Sequence, residues 1–347
     1  MKVKIICDTQ NFIVSSDKSS FGEFTISSDF ELFKSSFLTP TFQSFVGLLA
    51  IQRFRKSCFF LMDTGFKDTV NSLEELASVM HNNNIYYQNE IFNFIVCLWF
   101  IKDNNINIHG IYTYLPERDG VYYRTSPFRF VKADFTDEPT EFNLTELKTA
   151  YQIYLKWEEI SSPAHKTFFN EKNQSSQTVF KRNPTFFNHE NSNRIERAFT
   201  FLILARTSIY YSERIAQYMC MYEALFSGIE KGEIAHQISE RTSKYIGGNN
   251  KERLLTYSLI KKAYNIRSTF LHGQTNKYKP EQMKEVCLDI DSLTRKIFLK
   301  IIMDDSDIFL QSDQLLENSF KDLVLTDGEP LEKEDEKFSY KRFSKRQ

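Results

Sequence analysis

The sequence predicts an α+β protein in two parts, a mixed α/β N-terminal domain over residues 1–160 and an all-α helical bundle over residues 191–326. Three observations predict it. Period-two alternation and a hairpin signal are confined to the first part. From residue 191 onward apolar residues recur at steps of three and four with short connections, the pattern of an up-and-down bundle. Between the two, residues 161–190 hold Pro163, Pro184 and the polar run EKNQSSQ with no sustained period, which reads as a linker or mobile loop. Residues 327–347 carry many charges of both signs and few aliphatics, and read as a disordered tail.

In order, residues 2–7 and 11–15 read as short strands separated by a turn, and the Ser-, Thr- and Phe-rich stretch 16–40 as strands and loops. Residues 42–54 have helical spacing, and 58–62 is a short apolar run that fits a buried strand. Residues 71–81 form a helix capped by Asn71 or Ser72 with two glutamates in its first turn, and 84–103 a second, very apolar one. Residues 111–115 and 121–130 flank a Pro-Glu-Arg-Asp-Gly turn, a hairpin signal. A helix over 144–160 closes the first part. The bundle helices run over 192–210, 212–228, 233–246, 254–273 and 280–304, with Gly247, Gly248 and Gly273 as stops and Pro280 as a start. Trp99 and Trp157 sit on apolar helix faces and read as core.

Composition narrows the function classes. The formal net charge of -1 removes any argument from overall basicity, so a nucleic-acid site needs a local patch. The 33 phenylalanines read mainly as core filling. Five cysteines, Cys7, Cys58, Cys97, Cys220 and Cys287, are far apart and without metal spacing, which fits a reducing cytosol and a cytoplasmic protein. The apolar run of MKVKIICD is too short for a signal peptide. Residues 91–101 fall short of the roughly 20 apolar residues that span a bilayer, so no membrane association is expected. There is no phosphate-cradling glycine loop, and no cofactor or metal is expected.

The stretch 254–273, LLTYSLIKKAYNIRSTFLHG, carries the chemistry. Leu255, Leu259, Ala263, Ile266 and Phe270 form one helical face, Asn249 with Glu252 marks the start, and Gly273 the stop. Beside this face stand Arg267, a permanent cation, and His272, a titratable imidazole. Tyr264-Asn265-Ile266-Arg267-Ser268, followed by Leu271-His272-Gly273, resembles the signature helix of the Apea-like kind of HEPN domain, roughly Tyr-x-x-Arg-Ser-x-x-x-His-Gly. Tyr222-Glu223-Ala224-Leu225-Phe226 resembles the family's earlier Glu-Ala-Leu helix, and Ile238-Ser239-Glu240-Arg241 the helix between. The resemblance covers roughly residues 190–305; the first half resembles nothing specific.

The residue types suit metal-independent RNA cleavage. A 2′-hydroxyl attacks the adjacent phosphate, its proton is taken, and the leaving 5′-oxygen is protonated. Imidazole, with an ordinary pKa of about 6.5, moves protons near neutrality. A guanidinium stays charged and presents a planar fork to phosphate oxygens. The resemblance implies that Arg267 binds and polarises the phosphate, that His272 is the acid or base, and that Ser268 helps position groups. It further implies a homodimer whose motifs face one cleft, an RNA substrate, and a role in antiphage defence or toxin-like shutdown of translation. The N-terminal domain then senses a trigger or restrains the nuclease. The alternative is a non-catalytic HEPN module that dimerises or binds nucleic acid, with function carried by the N-terminal domain.

Glu223 and Arg241 are expected to support the site, Glu223 as a carboxylate paired with Arg267 or Arg241. Lys261, Lys262, Lys277 and Lys279 form the best local basic patch for RNA phosphate. In a straight helix at 100° per residue, Arg267 and His272 point about 140° apart. They converge if the last turn unwinds at Gly273 or if two copies meet. Arg182 and His189 repeat a similar spacing around Pro184, where no helix can hold them. His236 reads as an ordinary histidine, and His81, His109 and His165 carry no assignment.

Overall fold

The structure, a computed structural model, describes residues 2–16, 18–65, 72–126, 128–161, 192–229, 232–275 and 277–325. The expected linker, the Arg182–His189 pair, His165 and the expected tail lie outside the described residues, apart from Ser161.

The first half is built on a six-stranded antiparallel sheet. Strands β1 (Lys2–Gln10), β3 (Lys18–Phe21), β4 (Phe24–Ser27), β5 (Phe59–Gly65), β6 (Asn107–Leu115) and β7 (Gly120–Thr125) lie in the order β3-β4-β5-β1-β6-β7. β1 is paired on both sides, Ile5 opposite Met62 and Thr113, with a register shift after Asp8. Alternation then splits β1 between two cores. Val3, Ile5 and Cys7 join the main core, while Ile6 joins a separate one. A short parallel pair, β2 (Phe12–Val14) with β8 (Thr140–Phe142), sits beside the sheet.

Helices cover both faces. On the Ile6 side are α1 (Phe30–Phe37) and α2 (Pro40–Lys56), whose Phe33, Phe37, Phe42 and Phe54 interlock with Phe59; the rings of Phe33 and Phe54 stack at 4.5 Å. The helix α1 corrects the expectation of strands and loops here. Asp29 caps it by accepting from the amides of Glu31 and Leu32, a start signal hidden in a Ser- and Phe-rich stretch. The other face is covered by α3 (Leu73–Ile101) and α4 (Leu144–Ile160). α3 is one helix of 29 residues where the sequence predicts two. The Asn82-Asn83-Asn84 run looks like a break because asparagine competes for backbone. Here Asn83 donates to the carbonyl of Val79, one turn back, and buried Asn84 accepts from the Thr113 hydroxyl on β6. One of these bonds lies within the helix and the other reaches the sheet, while Asn84 Nδ2 is buried without a partner, and the helix continues.

The second half is all-α: α5 (Arg194–Thr207), α6 (Tyr211–Phe226), α7 (Ile234–Ile246), α8 (Asn250–Leu271) and α9 (Pro280–Lys300). A π-turn, Ile301–Asp305, leads into α10 (Ser306–Phe309) and then α11 (Asp313–Leu325), which the periodicity does not announce. α5 starts with a full capping box, Asn193 with Glu196, one residue after the expected Ser192.

The halves share one main core. Trp157 stacks on Phe199 at 4.3 Å, and Phe100 on Phe298 at 5.5 Å. Two fully buried arginines of the bundle reach back into the first half. Arg206 donates to the carbonyl of Asn104 at 2.8 Å and lies over the Phe130 ring, and Arg214 donates to the carbonyls of Val131 and Lys132. Among the described residues no helix is long and apolar enough to cross a membrane.

Candidate functional site

α8 starts as expected, with a capping box between Asn249 and Glu252. It also stops as expected. Gly273 takes φ +65°, its amide bonds the carbonyl of Phe270, and the amide of Gln274 bonds that of Thr269 at 3.0 Å. This is a Schellman cap, and the left-handed residue it needs is cheapest as glycine. The buried face differs from the expected stripe. Ile260, Ala263 and Ile266 are inside, while Leu255 and Phe270 are exposed, because they lie toward the two ends of the helix.

Arg267 turns onto α6. Its Nη2 meets Glu223 Oε2 at 3.0 Å, and its guanidinium lies 5.2 Å from the Tyr264 ring, one turn earlier on α8. Glu223 therefore pairs with Arg267, one of the two partners the sequence allows. Cys220, one turn before Glu223, completes the group. Burial pushes its thiol up, Glu223 adds to this, and the Arg267 charge opposes it. Burial likewise raises the Tyr264 hydroxyl, with the Glu223 carboxylate in the same direction and Arg267 against it. Two atoms of the ion pair, Glu223 Oε1 and Arg267 Nε, are sealed from water without a hydrogen-bond partner. Cys220 was not singled out by sequence; its one legible signal is the three-residue spacing to Glu223, matching Tyr264 to Arg267.

His272 stands at the exposed C-terminal end of α8. Its amide bonds the carbonyl of half-buried Ser268 at 3.1 Å, and its backbone stays near-helical at φ -85° and ψ 5°. The chain therefore turns only after the imidazole. Unwinding of the last turn, one of the two routes by which Arg267 and His272 could converge, is not taken.

Arg241, expected to support the site, pairs with Glu317 rather than with Glu223. It is buried on α7, bonds Glu317 of α11 at 2.6 Å and the carbonyl of Phe226 at 3.1 Å, and lies over the Phe320 ring. It clamps the last helix to the bundle, and the sequence could not show this because α11 was not foreseen. The lysines sit among aromatics. Lys262 and Lys277 place their ammonium groups 5.4 and 5.5 Å from the Tyr278 ring, and Lys261 lies 5.8 Å from Tyr257, whose hydroxyl meets His236 Nδ1 at 2.8 Å. Lys279 is exposed at the start of α9. Interleaved cations and rings of this kind can hold phosphates and stack bases.

Comparison with protein-family models, with curated proteins and with solved structures returns no match.

Proposed function

We propose that the bundle is an Apea-like HEPN domain and that the protein is a metal-independent endoribonuclease. One observation supports this most. Arg267 is paired with Glu223 yet keeps 22% of its side chain exposed, and His272 is exposed just before the glycine at which the chain turns. Glu223 orients the guanidinium through Nη2, and Nη1 donates to the Tyr264 hydroxyl at 3.4 Å, a long bond that a phosphate oxygen can replace. Arg267 then stabilises charge on the phosphorane, and the imidazole moves the proton of the 2′-hydroxyl or of the leaving 5′-oxygen. With the two side chains about 140° apart on one helix, the site draws Arg267 from one chain and His272 from its partner in a homodimer. This reading places the enzyme in antiphage defence or toxin-like shutdown of translation, with the N-terminal half sensing the trigger.

The second reading, a non-catalytic pairing module, draws on the same ion pair: an arginine held by a glutamate can be structural only. The test is incubation of the purified chain with tRNA and total RNA in EDTA, beside Arg267→Ala and His272→Ala. The expected result is cutting with 2′,3′-cyclic phosphate ends, lost by 100-fold or more, on the order of a full acid–base contribution, in each variant. Mixing the two inactive variants should restore part of the activity, since one hybrid site is intact. Cutting that persists in both variants overturns the enzyme reading, as does intact RNA under every condition.

A further inference from the structure

A cleft in the N-terminal half has a composition that the nuclease reading does not use. It measures about 420 Å³ and lies where the end of β1, β2, the last turns of α2 and β6 meet. Clefts of a few hundred Å³ hold small organic molecules. Its basic lining is Arg53 and Lys56 with the imidazole of His109, and no carboxylate stands among the lining residues. A second cleft of similar size, at the β3–β4 end of the sheet, mixes Lys18 with Glu23 and Asp63 and has no such bias.

The guanidinium of Arg53 is held rigidly. Asp8, 1% exposed on β1, takes its Nε at 2.6 Å, and Tyr112 stands close beside it. The other oxygen of Asp8 is sealed without a partner. A fork locked from behind is pre-organised for a planar oxyanion in front. Arg53 and Lys56 also complement the negative end of α2. That does not account for His109, which comes from β6 and whose pKa burial lowers, with Asp8 against this and Arg53 and Arg129 adding to it.

Beside these groups the lining is apolar and uncovered. Ile13 and Leu49 line the cleft and are exposed, Leu49 to 74%. Gly47, at φ +76°, breaks α2 just before Leu48 and Leu49, so these side chains leave the face that packs on the sheet. The break is a matter of backbone freedom, since a Cβ at Gly47 would meet nothing within 4 Å.

We infer that this cleft binds a small organic oxyanion, its phosphate or carboxylate on Arg53, Lys56 and His109 and its apolar or aromatic body against Ile13 and Leu49. The inference stands independently of the nuclease reading. The test is calorimetric titration of the full chain with AMP and with octanoate, using inorganic phosphate as the probe without a body. One of the two organic probes should bind at a single site at least ten times more tightly than inorganic phosphate, about 1.4 kcal/mol. AMP binding assigns a phosphate ester and octanoate binding a carboxylate. Lys56→Glu and Leu49→Glu, both at exposed positions and checked for fold by circular dichroism, should each weaken that probe at least tenfold, while Lys262→Glu leaves it unchanged. Failure of both probes to saturate by about 1 mM overturns the inference, as does binding that survives the Lys56 and Leu49 substitutions.

Discussion

The bundle contains two arginine–glutamate pairs, and the sequence assigns both arginines to one site, Arg267 as its cation and Arg241 as a support. Arg241–Glu317 closes at 2.6 Å with side chains 6% and 2% exposed; Arg267–Glu223 sits at 3.0 Å with 22% and 25% exposed. The first is roofed by Phe320 and bonded to a backbone carbonyl. The second is flanked by Tyr264 and a half-buried cysteine. The same chemical pair is thus a closed clamp in one place and a partly open, oriented cation in the other. A buried pair is costly to break and contributes little beyond a hydrophobic substitute, whereas a half-open pair is cheap to break and available to a ligand.

Removing one partner of the closed pair should have the largest effect. Glu317→Ala leaves the Arg241 charge buried and should lower stability by about 3–5 kcal/mol in urea unfolding. The double variant Arg241→Met with Glu317→Leu should recover most of that loss. If it does not, the clamp is worth more than its desolvation and the contrast between the pairs narrows.

A carboxylate whose close partners are not cations extends the comparison. Glu90 on α3 accepts from the Tyr154 hydroxyl, with Glu158 and Glu23 nearby, and burial pushes its pKa up to about 7. Because the folded state holds the proton more tightly than the unfolded chain, its contribution is full below the ordinary glutamate value of 4.5 and is lost as pH rises through about 7. Glu90→Gln should therefore stabilise the protein at pH 8 by roughly 1–3 kcal/mol and change little at acid pH. Equal effects on thermal unfolding at both ends would contradict this.

The open pair should matter little to the fold. Glu223→Gln should change stability by about 1 kcal/mol or less while lowering RNA cutting, because it releases the guanidinium. A loss as large as that of Glu317→Ala would make the two pairs alike. Gly273→Ala puts a side chain at φ +65°, where a Cβ would meet no atom within 4 Å, so backbone strain alone should cost about 1 kcal/mol. Smallest of all, Lys277→Ala should weaken RNA binding evenly across sequences and reduce the salt slope by about one.

Much of the bundle was legible because helix periodicity, caps and glycine stops are local. The start at Asn249 and Glu252 and the stop at Gly273 follow from backbone geometry that a few residues determine. The hairpin of β6 and β7 was legible for the same reason. The misreadings were of another kind. The asparagine run in α3 needed Thr113, 29 residues away, to stay helical. Arg241 needed Glu317, 76 residues away. The cleft at Arg53 and His109 joins residues that share no spacing, and His109 carried no sequence signal at all.

By itself, then, the chain order of amino acids determined the two-part architecture, most helix boundaries in the bundle and the placing of Arg267 and His272 on and just beyond one helix. Only the tertiary structure decided which carboxylate each arginine meets, which of two ion pairs stays partly open to solvent, and which basic side chains of distant elements line one cleft. Local patterns are set by hydrogen bonds and rotations within a few residues, whereas pairing and exposure depend on which distant surfaces a fold brings together.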